Sequence, residues 1–201
     1  MSADDIVISA AVEGDIDQAV VQRLIQQAGA VSGPVYGKNG KQTLRKNIKG
    51  YNNAANYSPW IVLADLNHEA DCAPTLRQQW LNNPSQFLCF RIAVREIESW
   101  LLADRENLSK FLRLSEQRIP RNPEAVENPK EVMVNLARRS RLRAIREDMV
   151  PRPGSGRVVG PAYSSRLIEF VTGQRDSWRP EIASQASDSL NRCLICLRRI
   201  I

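Results

Sequence analysis

Histidine is nearly absent from this chain, and its scarcity excludes several kinds of catalytic site. His68 is the only histidine among the 201 residues, so mechanisms that need a pair of histidines are excluded. The sequence also lacks a Gly-x-x-x-x-Gly-Lys-Ser/Thr loop, which excludes a phosphate-binding loop of that type within it. The acidic and basic side chains are then the main candidates for chemistry.

Long apolar runs are missing as well. No segment approaches the roughly 18 consecutive apolar residues that a membrane span needs. The N-terminus is acidic and the apolar stretch after it is short, which is not the pattern of a signal peptide. We expect a cytoplasmic protein that does not bind a membrane.

Cysteine is sparse, with four residues in the chain. A cytoplasmic location makes a disulfide framework an unlikely source of stability. Cys193 and Cys196 form a Cys-x-x-Cys pair within a helical pattern, where both side chains fall on one face and favour core packing. Without a second such pair or a nearby histidine, a zinc site is disfavoured.

The charge balance is basic. Lys and Arg number 28 against 22 Asp and Glu, giving a net charge of +6 and a pI near 9.4. This balance favours a polyanionic partner, DNA or RNA. Five arginines fall within nine residues: Arg138, Arg139, Arg141, Arg143 and Arg146. The run is typical either of a solvated helix face or of a nucleic-acid surface, for which Arg139, Arg141 and Arg143 are the candidates.

Alternating strand and helix patterns predict an α/β fold, a mainly parallel sheet flanked by helices, over residues 1–104. The predicted strands are 6–11, 31–36, 60–66 and 86–94, and the clearest helix is 16–27. Residues 105–201 show no convincing strand, and the pattern predicts a helical region that packs on the α/β core. Its helices are expected at about 106–113, 130–148, 163–172 and 180–200.

Acidic side chains follow three of the strand-like runs. Glu13 and Asp65 come at the ends of two of them, and Glu96 and Glu98 follow a third. Asp17 lies about one helical turn beyond Glu13. Acids at the carboxyl ends of parallel strands converge on the edge where such sheets bind ligands, and oxygen ligands suit Mg²⁺ or Mn²⁺. Each acid taken alone is also typical of a helix cap or of a residue that favours a helix dipole.

Two motifs resemble those of the Toprim domain, the metal-binding α/β module of topoisomerases, primases and the overcoming-lysogenization-defect nucleases. They are Val-Glu-Gly-Asp-Ile-Asp at 12–17 and Val-Leu-Ala-Asp-Leu-Asn at 62–67. The segments at 91–104 (Arg-Ile-Ala-Val-Arg-Glu-Ile-Glu-Ser-Trp-Leu-Leu-Ala-Asp) and 160–167 (Gly-Pro-Ala-Tyr-Ser-Ser-Arg-Leu) resemble a family of standalone Toprim-like proteins of unknown function.

The resemblance implies roles for the acids. Glu13 would be the acid nearest the scissile phosphate, as a metal ligand or general acid/base, and Asp65 the principal metal ligand. Asp17 would support them, and Glu96, or Glu98 in its place, would complete the site. The chain departs from the Toprim Asp-x-Asp motif at Asn67, whose carbonyl can still bind a metal but without negative charge.

These features lead to a hypothesis of a Mg²⁺- or Mn²⁺-dependent Toprim-type nuclease that hydrolyses phosphodiester bonds of DNA or RNA. Lys38, Lys41 and Arg95 are the candidate cations for the phosphate by position. The resemblance implies a role in phage defence beside an ATPase partner, and a homodimer stays open. The alternatives are a non-catalytic module that binds nucleic acid or a partner through a weakened metal site, and, less favoured, a phosphotransferase or phosphatase.

Overall fold

The computed structural model describes residues 6–201 and divides them into two compact units. The first unit runs up to Val94 and also includes Ser189–Ile201, and the second is Arg95–Asp188. The predicted boundary lay after Asp104, whereas the second unit begins at Arg95. The α-helical end of the chain thus belongs to the unit that contains the sheet.

The first unit is built on a four-stranded parallel sheet. Its strands are β1 (Val7–Val12), β2 (Val31–Gly37), β3 (Trp60–Asp65) and β4 (Leu88–Ala93), in the order β2-β1-β3-β4. The connections contain α1 (Asp15–Gln27), α2 (Lys41–Ala54) and α3 (Ala73–Trp80). The predicted α/β class, with a parallel sheet flanked by helices, is confirmed.

Burial explains why β3 reads as an uninterrupted apolar run. All six of its residues are buried, as expected of a central strand covered on both faces. Alternate residues Trp60, Val62 and Ala64 join one core with side chains from α2, α3 and β4. The edge strand β2 is instead partly exposed along its whole length, which accounts for its weaker apolar pattern.

Strand order decides where the acids meet. β3 pairs with β1 in register, with Ala11 opposite Val62. β1 ends at Val12 and β3 at Asp65, so their carboxyl ends lie side by side at one edge of the sheet. Glu13 follows β1 directly and therefore lies beside the end of β3.

The second unit is helical. Its helices are α4 (Ile97–Ala103), α5 (Arg105–Phe111), α6 (Pro129–Arg138), α7 (Arg143–Met149), α8 (Tyr163–Thr172) and α9 (Pro180–Ala183), with 3-10 turns at Glu116–Arg118 and Pro123–Ala125. The last helix, α10 (Asp188–Arg199), lies in the first unit from Ser189 onward.

Two predicted helices are each split in the structure. The prediction of one helix over 130–148 was wrong, because α6 and α7 are separated at Ser140. The Ser140 hydroxyl accepts a hydrogen bond from the Leu142 N–H at 3.0 Å. The backbone carbonyl of Ser140 accepts one from Arg146 Nη1 at 2.6 Å. These two bonds, each involving a side chain, stand in place of helical backbone hydrogen bonds at Ser140. The predicted helix 180–200 likewise breaks into α9 and α10.

Buried polar contacts hold the second unit together. Asp104 is fully buried, caps α5 through the Asn107 N–H at 3.3 Å, and pairs with Arg179 at 2.6 Å. The Trp178 indole donates to the carbonyl of Trp100 at 2.9 Å, and both rings are fully buried. The Trp-Leu-Leu-Ala-Asp sequence at 100–104 thus has a packing role. Over residues 6–201, no helix is both long and apolar enough to cross a membrane.

Candidate functional site

A hydrogen bond links the side chain of Glu13 to the backbone of Asp65. Oε1 of Glu13 accepts the backbone N–H of Asp65 at 2.8 Å. This bond ties the end of β1 to the end of β3 and orients the Glu13 carboxylate. The structure therefore brings together Glu13 and Asp65, which are far apart in the sequence.

A glycine loop closes over the end of β1. Gly37 has φ +88°, and a Cβ there would lie 2.3 Å from the carbonyl oxygen of Val12, so no other residue fits without moving the strand. The next N–H, of Lys38, donates to that oxygen at 2.9 Å, and the N–H of Gly40 donates to the Glu13 carbonyl at 3.1 Å. The Lys38 side chain is exposed beside the acids.

Asp17 lies in the first turn of α1 and is only 6% exposed. A Cβ added to Gly14 would stand 3.3 Å from Oδ2 of Asp17, so the carboxylate folds back toward the residue that follows Glu13. A carboxylate in this position also gains from the positive end of the helix dipole. Asp17 thus points to the same edge of the sheet as Glu13.

Lys41 places a positive charge at the end of β3. Its Nζ donates to the carbonyls of Asp65 at 2.6 Å and Leu66 at 3.4 Å, and pairs with Glu69 at 3.3 Å. The side chain is 12% exposed. Its ammonium group is therefore committed to holding the strand end, and its charge offsets that of the neighbouring carboxylates.

Asn67 has a local reason to be asparagine. Its φ is +50°, a left-handed conformation that asparagine adopts more readily than most residues. The turn directs the chain away from the sheet after Leu66, whose N–H is bonded to the Ala93 carbonyl at 2.8 Å. The departure from Asp-x-Asp thus falls at a backbone position that selects for Asn.

The side chains near Glu13 and Asp65 can be compared with the ligands that a metal ion requires. Among residues 6–201, no group of three or more His, Cys, Asp or Glu side chains is arranged to hold a metal ion. Mg²⁺ usually keeps several waters and binds through one or two carboxylates together with substrate phosphates. Glu13 and Asp65 fit that open arrangement, and the described residues do not form a closed protein cage.

A second acid cluster lies entirely within the helical unit. Both carboxylate oxygens of Glu96 accept from Lys130, one from its Nζ at 3.1 Å and one from its backbone N–H at 3.0 Å. Oε1 of Glu98 lies 3.8 Å from the same Nζ and accepts the hydroxyl of Tyr163 at 3.1 Å. Lys130, at the start of α6, thus contacts both glutamates.

Burial controls protonation in this second cluster. Glu98 is 1% exposed, and burial raises its pKa, with a contribution from the charge of Glu96 and opposition from Lys130 and Tyr163. Its Oε2 is buried and accepts no hydrogen bond. Burial, followed by the charge of Glu98, also raises the pKa of Tyr163 well above its usual value. Glu98 therefore holds a proton more readily than an ordinary glutamate.

Sequence reasoning missed Lys130 and gave Tyr163 no specific role. The hydroxyl of Tyr163 reaches Glu98 across 65 positions of sequence, so no local pattern reveals the pair. Tyr163 did stand in the 160–167 segment that carried the family resemblance. Lys130 follows a proline at a helix start, which predicts the helix but not the contact.

The basic surface of the second unit spans the break between α6 and α7. Arg139, Arg141 and Arg143 are all exposed. Arg143 pairs with Glu147 at 2.7 Å, and this hydrogen bond raises the pKa of its guanidinium. Within residues 6–201, Arg139 and Arg141 form no ion pair. A groove of about 720 Å³ is lined partly by Arg143, Arg146 and Arg152. Arg95 is half-buried.

Comparisons with known proteins identify no relative. The chain matches no model of a known protein family, and no curated protein or solved structure is significantly similar to it.

Proposed function

We propose that this protein is a Toprim-type nuclease that hydrolyses phosphodiester bonds of DNA or RNA with the help of Mg²⁺ or Mn²⁺. The observation that supports this most strongly is the 2.8 Å hydrogen bond joining Glu13 to Asp65 at the ends of neighbouring parallel strands. This edge is where open α/β sheets bind their ligands. The family assignment depends on the motifs at 12–17 and 62–67.

Glu13, Asp65 and Asp17 would supply oxygen ligands to the cation. When bound, the cation supplies Lewis-acid stabilisation of charge on the phosphate and lowers the pKa of water. The Asp65 N–H holds the Glu13 carboxylate in one orientation, which favours proton transfer at a fixed position. The Asn67 carbonyl adds a neutral oxygen donor.

The cations of this unit have different roles in the proposal. Lys41 is a positioning residue, because its Nζ is bonded to the carbonyls at the end of β3. Lys38 is exposed on the loop that covers the end of β1 and is the better candidate for contact with a phosphate. Arg139, Arg141 and Arg143 of the second unit would also bind nucleic acid, with Arg95 as a further candidate.

An ATPase partner, a role in phage defence and a homodimer remain proposals that depend on the family resemblance or on composition. These 201 residues contain no phosphate-binding loop of the Gly-x-x-x-x-Gly-Lys-Ser/Thr type.

The experiment is cleavage by pure protein of plasmid, single-stranded DNA and tRNA in Mg²⁺, Mn²⁺ or EDTA. Glu13→Gln keeps an oxygen that can accept the Asp65 N–H, and Asp65→Asn keeps its size, so both remove charge with little change in shape. Asp71→Asn, at an exposed acid of the loop after β3, is the matched control. Metal-dependent cleavage that both site variants lose and the control keeps supports the proposal. Cleavage that is unchanged in both site variants contradicts it.

A non-catalytic binding module is the second candidate. Asn67 and the absence of a three-ligand group among the described residues favour it. In that case, adding Mn²⁺ would raise the melting temperature of the wild type no more than that of Glu13→Gln. Nucleic acid would bind without being cleaved. A Mn²⁺-dependent rise confined to the wild type and the Asp71→Asn control would instead support the metal site.

A further inference from the structure

Three cysteines come together in the first unit, away from the acid cluster. Cys89 on β4 and Cys193 on α10 are fully buried, and Cys196, one helical turn beyond Cys193, is half-buried. The sulfur of Cys89 lies 4.0 Å from the carbonyl oxygen of Cys193. All three are free thiols. Of these three thiols, Cys196 alone has access to solvent.

Basic side chains surround the exposed member of this thiol cluster. Arg77, Arg91 and Arg199 are close enough to Cys196 to stabilise its thiolate. Within residues 6–201, neither Arg77 nor Arg91 forms an ion pair, so their charges are not offset by a carboxylate. Interaction with the Cys89 thiol, together with the charges of these arginines, lowers the pKa of Cys196 to about 7.

The partner thiol has the opposite character. Burial raises the pKa of Cys89 well above its ordinary value, and its contacts with Cys193 and Cys196 add to the effect. One sulfur of the pair is thus half-exposed with a lowered pKa, and the other is a buried thiol with a raised pKa. This is the division between an attacking and a resolving cysteine.

We propose that Cys196 is an oxidation site for peroxides and that Cys89 is its resolving partner, so that oxidation links β4 to α10 through a Cys89–Cys196 disulfide. The proposal is independent of the nuclease site. The ligand class is hydrogen peroxide or an organic hydroperoxide.

The chemistry balances in two steps. The Cys196 thiolate attacks one peroxide oxygen, the O–O bond breaks, and a sulfenic acid forms as hydroxide leaves and takes a proton to become water. The Cys89 sulfur then attacks the sulfenic sulfur, the S–O bond breaks, and the Cys89 proton leaves with the hydroxide as a second water. Two thiols lose two electrons and the peroxide gains them.

Cys89 is a better resolving partner than Cys193 on geometric grounds. Residues three apart on a helix have Cβ atoms about 5–6 Å apart. A disulfide needs a Cβ separation of about 3.5–4.5 Å, so a Cys193–Cys196 bridge would distort α10. Cys89 approaches from a different element, and its sulfur lies 4.0 Å from the Cys193 carbonyl oxygen, which faces the next turn of α10, where Cys196 lies.

The test treats reduced full-length Cys72→Ser protein with hydrogen peroxide, since Cys72 is an exposed thiol that would otherwise link molecules. Peptide mapping without reductant is expected to find Cys89 joined to Cys196 within one molecule. The melting temperature should rise, because the bridge closes a long loop of the unfolded chain. A Cys193–Cys196 bridge, or no bridge at all, would overturn the proposal.

Two further variants separate the roles. With Cys89→Ala, Cys196 should accumulate as a sulfenic acid that a dimedone probe captures, whereas with Cys196→Ser no bridge and no capture at this cluster should occur. Iodoacetamide alkylation of Cys196 in the reduced protein should reach half its maximal rate near pH 7. In the double variant Arg77→Gln and Arg91→Gln, that midpoint should move to higher pH. A wild-type midpoint near 9, the ordinary value, would contradict the activation of Cys196.

Discussion

The two units each contain a cluster of acids with one lysine, and the clusters differ in how the lysine is used. In the first unit, Lys41 binds backbone carbonyls at the end of β3 and leaves Glu13 to accept a backbone N–H. In the second unit, Lys130 binds both oxygens of Glu96 directly and lies 3.8 Å from Glu98.

This difference separates a site suited to a ligand from one suited to stability. Glu13 and Asp65 lie at the edge where open α/β sheets bind their ligands, and carboxylates in that place suit a cation. Glu96 and Glu98 instead contact Lys130, and Glu98 also accepts the Tyr163 hydroxyl, so these acids hold helices together. The comparison predicts chemistry in the first unit, and structure and nucleic-acid binding in the second.

The largest expected effect concerns the activity of the two clusters. We predict that Glu13→Gln lowers metal-dependent cleavage by about 100-fold or more, as loss of one stabilising group in a catalytic site commonly does. Glu98→Gln should change the rate by less than about threefold, because Gln can still accept the Tyr163 hydroxyl and only a buried charge is removed. Steady-state cleavage measures both. Equal losses in the two variants would mean that Glu98 belongs to the active site.

The second prediction concerns the basic surface. Replacing Arg139, Arg141 and Arg143 by Gln should weaken binding to DNA or RNA and flatten the slope of log K against log salt by about two, since each phosphate contact contributes about one. Arg143 should contribute least because it already pairs with Glu147. Fluorescence anisotropy at several salt concentrations measures this.

The control for the surface removes equal charge elsewhere in the same unit. Arg118, Arg121 and Arg175 are also exposed and are changed to Gln together. A slope that falls equally in both triple variants would show that net charge, and not this surface, determines binding.

The third prediction tests the lysines. Lys130→Met should lower the free energy of unfolding by about 1–2 kcal/mol, because it removes the positive charge that Glu96 and Glu98 share. The loss stays below the 3–5 kcal/mol of a fully buried pair since Lys130 is 38% exposed and Glu98 can take up a proton. Urea denaturation measures it. Lys130→Arg keeps the charge and is the control, and an equal loss in that variant would indicate that packing is responsible.

The smallest effect is a dependence of stability on pH. The pKa of Glu98 is raised in the folded protein above its ordinary value of 4.5, so the folded state binds more protons than the unfolded state in that window. Its contribution to stability is fully present below pH 4.5 and is lost as pH rises through the folded pKa. Each unit of pKa difference corresponds to about 1.4 kcal/mol.

Glu98→Gln should abolish this part of the pH profile. Urea unfolding of wild type and variant at a series of pH values above 4.5 provides the measurement, with the exposed Glu131→Gln as the control. Parallel wild-type and Glu98→Gln profiles would contradict the assignment of the proton to Glu98.

The sequence predicted much of the first unit and less of the second. The bounds of β3 followed from an apolar run because this strand is covered on both faces. Those of α1 followed from helical periodicity because this helix has one buried face. The prediction merged α6 and α7 across Ser140, because the hydrogen bonds that the hydroxyl and the backbone carbonyl of this residue accept leave no mark on apolar periodicity.

By itself, the sequence determined that acids follow strands of an α/β sheet and that arginines cluster in the helical half, since periodicity and motifs are local properties of a chain. Tertiary structure alone decided that β1 lies beside β3, and so joined Glu13 to Asp65 across 52 positions. It also committed Lys41 to the strand end and paired Tyr163 with Glu98. The physical reason is that contacts between distant segments depend on strand order and burial, which the packing of the whole unit sets.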